Sequence, residues 1–197
     1  NYPVKVINNG IDLSLFEPTQ SNFKERYGMA DKYMLLGVSF DWDERKGLND
    51  FVQLSKELDE EYKIVLVGVN DMIKSQLPES IIAIGRTKTQ KELAELYSAA
   101  DAFVNPTKEE NFPTVNIESL ACGTPIVSYE TGGSSEIFDE TIKLNTLDYE
   151  LYSNCQQIII DALDKAEYVH ITNYELRALL SEIYCISEED EVWLEKY

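Results

Sequence analysis

The stretch that decides the fold runs from residue 89 to residue 129: Thr89-Gln-Lys-Glu92-Leu93-Ala-Glu-Leu96-Tyr97-Ser-Ala-Ala100-Asp101-Ala-Phe-Val-Asn105-Pro106-Thr-Lys-Glu-Glu110-Asn-Phe-Pro113-Thr-Val-Asn-Ile117-Glu118-Ser-Leu120-Ala121-Cys-Gly-Thr-Pro125-Ile-Val-Ser-Tyr129. Thr89-x-x-Glu92 has the form of a capping box, and Leu93, Leu96, Tyr97 and Ala100 follow at helical spacing. Ala102–Asn105 is then a short continuous apolar run, the mark of a strand buried on both faces. A further helix should follow Pro113-Thr114 and turn Ile117, Leu120 and Ala121 inward. Pro125–Tyr129 reads as the next strand.

Working outward, the same alternation continues. Val4–Ile7, Met34–Val38, Lys63–Val67 and Ile81–Ile84 are further apolar strand runs, and Leu48, Phe51, Val52, Ser55 and Leu58 recur at near-helical spacing. Strands alternating with helices predict an α/β fold with an open, doubly wound, parallel Rossmann-like sheet. Beyond about residue 140 the texture becomes more acidic and helical, with Thr172-x-x-Glu175 and Ser187-x-x-Asp190 as helix starts. The expected organisation is one domain over residues 1–197, with a core to about residue 140 and a helical tail over about 141–197. The chain opens on a strand at once, which reads as a domain cut from a longer protein.

The 197 residues carry 36 acids against 17 Lys and Arg, a net charge of −19. That balance argues against nucleic acid or anionic lipid held by a general basic surface. No apolar run approaches the ~18 residues of a membrane span, and the class fits a cytoplasmic location. Cys122, Cys155 and Cys185 are widely spaced with no CxxC pair, and His170 is the single histidine. This fits reduced thiols and leaves no histidine-based metal site or Ser-His-Asp triad.

In a doubly wound sheet, ligands meet the carboxyl ends of the strands near helix N-termini. Ser39–Gly47, Gly85–Lys88 and Pro106–Thr114 follow predicted strands and hold Arg45, Lys46, Arg86, Lys88 and Lys108. Cations gathered on one edge of an acidic protein suggest an anion site, with ordinary solvated loop charge as the alternative for Lys88 and Lys108. Thr131-Gly132-Gly133-Ser134 is either a loop whose N–H groups face an anion or simply a turn. No Walker lysine motif and no GxGxxG is present. Glu110 and Glu118 are separated by seven residues; Glu110 falls in the loop and Glu118 in the first turns of the helix. Near a helix start a carboxylate can bond ligand hydroxyls beside free N–H groups, or serve only as a favourable helix-start charge. Trp42 and Trp193 read as packing or surface aromatics.

The segment from Pro106 through Glu110, Pro113 and Glu118 to Val127 resembles the signature of family 4 (group 1) glycosyltransferases. Asn8-Asn-Gly10-Ile-Asp12 with Phe16-Glu-Pro18, Arg45-Lys46-Gly47, Leu96 to Pro106, and Gly132-Gly133-Ser-Ser-Glu136 agree in the same order. The resemblance covers about residues 4–138. It implies the C-terminal, donor-binding domain of a retaining enzyme of GT-B architecture, with an N-terminal acceptor domain preceding this chain. The full-length enzyme would transfer a hexose-type sugar from a nucleoside-diphosphate sugar to a saccharide or lipid-linked acceptor, as in polysaccharide biosynthesis. It could work in the cytoplasm or at a membrane periphery, while this fragment alone would transfer nothing.

By the same resemblance Glu118 would bond the ribose hydroxyls, Glu110 the donor sugar, and Lys46 the diphosphate. Phe112, Thr114 and Val115 would offer backbone N–H groups, with Arg45, Arg86, Gly132 and Gly133 also on the donor, and no metal cofactor is implied. Two positions depart from the pattern. Val38 stands after Gly37 where the family commonly has Arg, so either Arg45 substitutes or Lys46 works with less help. Glu110-Asn-Phe-Pro113 replaces Glu-Gly-Phe-Gly, and proline removes one N–H donor. A nucleotide-sugar epimerase and a non-catalytic nucleotide-sugar-binding module are the alternative readings.

Overall fold

The computed structural model describes residues 9–129, 131–137 and 146–147. Six strands form one sheet: β1 (Tyr33–Val38), β2 (Tyr62–Val67), β3 (Ile81–Ile84), β4 (Ala102–Asn105), β5 (Ile126–Tyr129) and β6 (Thr146–Leu147). Their order is β3-β2-β1-β4-β5-β6, and every pairing is parallel. The helices are α1 (Phe23–Arg26), α2 (Leu48–Glu57), α3 (Asp71–Lys74), α4 (Gln90–Ala99) and α5 (Thr114–Ala121), followed by a 3-10 helix at Gly132–Ile137. The expected doubly wound α/β sheet is present.

Alternation along the strands feeds two separate cores. Met34, Leu36, Val65, Val67 and Phe103 turn to one face, where Phe23 of α1, Tyr97 of α4 and Ile117 and Leu120 of α5 cover them. Leu35, Ile64, Leu66 and Val104 turn to the other, against Phe51 and Leu54 of α2. A strand with a core on each side has no polar face to show, which is why each reads as an unbroken apolar run.

Gly37 on β1 illustrates how closely α2 sits. A Cβ there would lie 2.6 Å from Cζ of Phe51 and 2.8 Å from Cδ2 of Leu66. Gly37→Ala should therefore destabilise the chain by about 1–3 kcal/mol through overpacking. Urea unfolding measures this, and Phe51→Leu in the same chain should recover part of the loss; an unchanged midpoint in Gly37→Ala would contradict the packing described.

Several expectations need adjustment. Pro125 lies just outside β5, yet its carbonyl accepts the Phe103 N–H at 2.8 Å, so it extends the ladder on the side that needs no proline N–H. Thr89 caps α4 by accepting the Glu92 N–H at 3.1 Å. Glu92 in return accepts from the Lys88 N–H at 2.7 Å, so the box closes one residue earlier than the motif implies. Gly132–Ile137 is a 3-10 helix and not an open loop. Thr146–Leu147, inside the stretch expected to be helical, pairs with Ser128 and Tyr129 as the sixth strand. Val4–Ile7, the remaining tail residues, His170, Cys155, Cys185 and Trp193 lie outside the described residues.

Candidate functional site

The strand order reverses direction between β1 and β4, and at such a switch point the two following loops part to leave a crevice. A cavity of about 300 Å³ opens there. Val38, Ser39, Trp42, Arg45 and Lys46 line it from β1 and its loop; Asn105, Glu110 and Phe112 to Val115 line it from β4, its loop and the start of α5.

Lys46 is held in place by backbone. Its N–H donates to Asp43 Oδ1 at 2.8 Å, and the Arg45 carbonyl accepts from the Lys108 N–H at 2.8 Å, tying the two loops together. Gly47 lets the loop come this near: a Cβ would lie 2.5 Å from the Pro106 carbonyl oxygen. The Lys46 ammonium then reaches Glu110 Oε2 at 2.7 Å, with both side chains largely buried. Burial by itself would raise the Glu110 carboxyl. The Lys46 hydrogen bond and charge, the Asn111 N–H and the Arg45 charge outweigh it and hold the carboxyl below the ordinary range. Arg45 stays at the rim, about half exposed, 3.7 Å from Asp43.

At the start of α5 the Asn116 N–H turns back to the Pro113 carbonyl at 3.0 Å. The Thr114 and Val115 N–H groups donate to no carbonyl or side chain among the described residues, and both residues line the cavity. They are the unsatisfied donors a helix start offers to an anion. The crevice thus combines a lysine, a rim arginine and two free N–H groups with a carboxylate. It suits a ligand that carries both negative charge and hydroxyls.

Glu118 does not line this cavity. It lies three and four residues beyond Val115 and Thr114, hence on the same side of α5 and about 4.5–6 Å further along it. Its Oε2 accepts from the Tyr97 hydroxyl of α4 at 2.9 Å. Burial pushes the Glu118 carboxyl up, and the Tyr97 hydrogen bond pulls against that.

Other expected residues lie outside the lining of this cavity. Arg86 lines a neighbouring cavity with Arg26 and Lys88, and stacks its guanidinium 3.6 Å above the exposed ring of Phe40, which itself lines the crevice. Gly132 and Gly133 pack against the Glu110 loop and are not among the residues lining the described cavity: a Cβ on either would overlap the carbonyl oxygen of Glu110 or Asn111. Their absent side chains let the backbone support that loop. Lys108 pairs with Asp50 of α2 at 3.5 Å, a link between loop and helix; Lys88 is exposed.

Trp42 is buried and donates its indole N–H to the Val67 carbonyl at 2.9 Å, as packing predicts, yet it also walls the crevice. Ser39 and Asn105 were not singled out from the sequence; Ser39 follows β1 and Asn105 ends β4 at the switch point, and only the strand order reveals that. Among the described residues no cluster of His, Cys, Asp and Glu could hold a metal, and no helix is long and apolar enough to cross a membrane.

Residues 19–169 match the family model described as glycosyl transferases group 1. A D-inositol 3-phosphate glycosyltransferase of Streptomyces bingchenggensis is 42% identical over 67 residues, 34% of this chain and 13% of that protein. An uncharacterized glycosyltransferase of Methanocaldococcus jannaschii is 29% identical over 154 residues, 71% of this chain and 39% of that protein. The chain therefore spans only 13% to 39% of the length of these curated relatives. Among solved structures, Anabaena HepE in complex with UDP and glucose superposes with a TM-score of 0.78 at 19% identity, over 98% of this chain and 56% of that one. The C-terminal domain of a group 1 glycosyl transferase from Francisella tularensis gives 0.60 at 18% identity, over 88% of this chain and 96% of that domain. The fold is that of GT-B glycosyltransferase structures.

Proposed function

Because the chain belongs to the group 1 glycosyl transferases, we infer that it is the donor-binding part of a retaining, family 4 glycosyltransferase. The full-length protein would pass a hexose-type sugar from a nucleoside-diphosphate sugar to a saccharide or lipid-linked acceptor held by a preceding domain. The observation that carries this reading is the crevice at the sheet's switch point, where the Lys46–Glu110 pair faces the free N–H groups of α5. HepE, which shares the fold, has also been crystallised with UDP-glucose.

In this reading the diphosphate lies against Lys46, Arg45 and the Thr114 and Val115 N–H groups. Breaking the bond from the anomeric carbon to the diphosphate oxygen leaves negative charge on that oxygen. Fixed donors already in place stabilise the charge as it develops, with no rearrangement of solvent. Glu110 accepts hydrogen bonds from the sugar hydroxyls. One turn along α5, Glu118 is spaced to take the ribose hydroxyls of the same ligand. Cationic and N–H donors cover the diphosphate charge, so the proposed site needs no metal.

Titration calorimetry of the chain with UDP and GDP tests the assignment. One of the two should bind, EDTA should not change its affinity, and Glu118→Ala should weaken it about tenfold, the equivalent of one charged hydrogen bond. Failure of the wild-type chain to bind either would sink the donor site. Transfer belongs to a longer parent chain assayed with acceptor. Isomerised sugar nucleotide appearing there without acceptor would point to an epimerase instead.

A further inference from the structure

We propose that Tyr97 is a positioning residue for nucleotide recognition: its buried hydroxyl fixes one carboxylate oxygen of Glu118 so that the other faces the ribose. The inference rests on the ribose role given to Glu118 above. Tyr97 is fully buried and reaches Glu118 Oε2 at 2.9 Å across the contact between α4 and α5.

The tyrosine is itself held firmly. Its ring meets Phe103 edge-on at 5.4 Å and Phe16 at 6.3 Å. Its carbonyl accepts from Thr124 Oγ1 at 2.6 Å, and the Thr124 carbonyl accepts from Ser119 Oγ at 3.1 Å. So fixed a ring holds its hydroxyl oxygen at one point, within hydrogen-bond distance of Glu118 Oε2. Glutamate has three side-chain torsions, and freezing them is the main entropic cost of using it as a ligand group. The Tyr97 bond meets that cost before nucleotide arrives.

The electrostatics agree. Glu118 has no ion-pair partner among the described residues, and burial favours its neutral form. Cys122, one turn on, is the other titratable group facing Tyr97. The Tyr97 hydroxyl therefore supplies the hydrogen bond that favours Glu118 as an acceptor. A carboxylate has lone pairs on both oxygens, so occupying Oε2 leaves Oε1 for the ligand.

The test compares UDP or GDP, whichever binds, with its 2′,3′-dideoxy analogue on the full chain. The wild type should prefer the ribose form at least tenfold. Tyr97→Phe keeps the ring and removes only the hydroxyl. It should cut that preference about fivefold and change dideoxynucleotide affinity less than twofold. Phe103→Leu, which loosens the same packing, should lower Tm and leave the preference intact. An unchanged preference in Tyr97→Phe, with Glu118→Ala abolishing it, would overturn the positioning role and keep the ribose role. No wild-type preference would overturn the ribose role itself. If Tyr97→Phe fails to fold, proton NMR of the nucleotide-bound wild type decides. A Tyr97 hydroxyl proton with a nuclear Overhauser contact to Glu118 is expected, and its loss on nucleotide addition refutes the proposal.

Discussion

Lys46→Ala should lower nucleoside-diphosphate affinity about a hundredfold, or about 2.8 kcal/mol. Part of the loss is direct, since a charge-assisted bond to phosphate is removed from a sheltered site. The rest comes from the group left behind. In the wild type Glu110 is an anion compensated by Lys46 at 2.7 Å; in the variant the same carboxylate faces the incoming diphosphate unopposed. The variant should therefore show a pH dependence that the wild type lacks. Without Lys46, burial still raises the Glu110 carboxyl while the Lys46 hydrogen bond and charge no longer lower it, so it titrates higher than in the wild type. Lowering the pH then neutralises it, and affinity should partly recover. Lys46→Ala with Glu110→Gln should bind better than Lys46→Ala alone, whereas Lys88→Ala, an exposed charge in another loop, should bind like the wild type. Calorimetry at about 0.1 M salt keeps the Debye length near 10 Å, so distant charges do not mask the comparison. Wild-type affinity in Lys46→Ala would remove the lysine from the site.

The same pair contributes to folding with a defined sign. The folded Glu110 carboxyl lies below its unfolded value, so its contribution is complete above the ordinary glutamate range. It is lost as pH falls through the lowered folded value. Glu118 runs the other way, because burial raises it and protonation relieves that cost.

Much of the sheet and crevice was legible for one physical reason. Strands buried on both faces become unbroken apolar runs, as in Met34–Val38 and Ala102–Asn105, and their loops then fall at one edge automatically. Thr89 declared the start of α4 through cap chemistry. What stayed hidden depends on distance in space. The Tyr97–Glu118 bond joins residues 21 apart, and periodicity records Tyr97 only as a core residue, since it cannot see where a hydroxyl points. Thr146–Leu147 pairs through backbone groups that every residue carries, so two residues leave no compositional trace. Arg45 and Arg86 looked alike as loop cations. Only the fold puts Arg45 in the lining of the crevice and Arg86 one layer out, on the crevice-lining Phe40. Val38 lines the crevice where the family commonly places Arg, and the lining cations are Lys46 and Arg45.

The glycine pair was legible as a motif, but its packing against the Glu110 and Asn111 carbonyls was not, and that packing gives a second large effect. Gly132→Ala should destabilise the chain by about 2–4 kcal/mol and lower nucleotide affinity at least tenfold. Two costs combine. Gly132 has φ +50°, a left-handed backbone that alanine adopts at about 1 kcal/mol. Its Cβ would also overlap the carbonyl oxygen of Glu110, which is backbone and cannot swing aside as a side chain can. Clearing that overlap moves the peptide carrying Glu110, and with it the partner of Lys46 and the approach to Phe112 and α5. Gly133→Ala should act likewise through the Asn111 carbonyl oxygen, 2.0 Å from the added Cβ, without the conformational part. Gly28→Ala separates the two costs: φ is +66° there, yet nothing lies within 4 Å of the added carbon. It should lose only the conformational share and bind nucleotide normally. Urea midpoints and calorimetry on the three variants resolve this. Equal losses in Gly28→Ala and Gly132→Ala would mean that backbone conformation alone matters. Normal affinity in a folded Gly132→Ala would mean that the loop bearing Glu110 needs no support from behind.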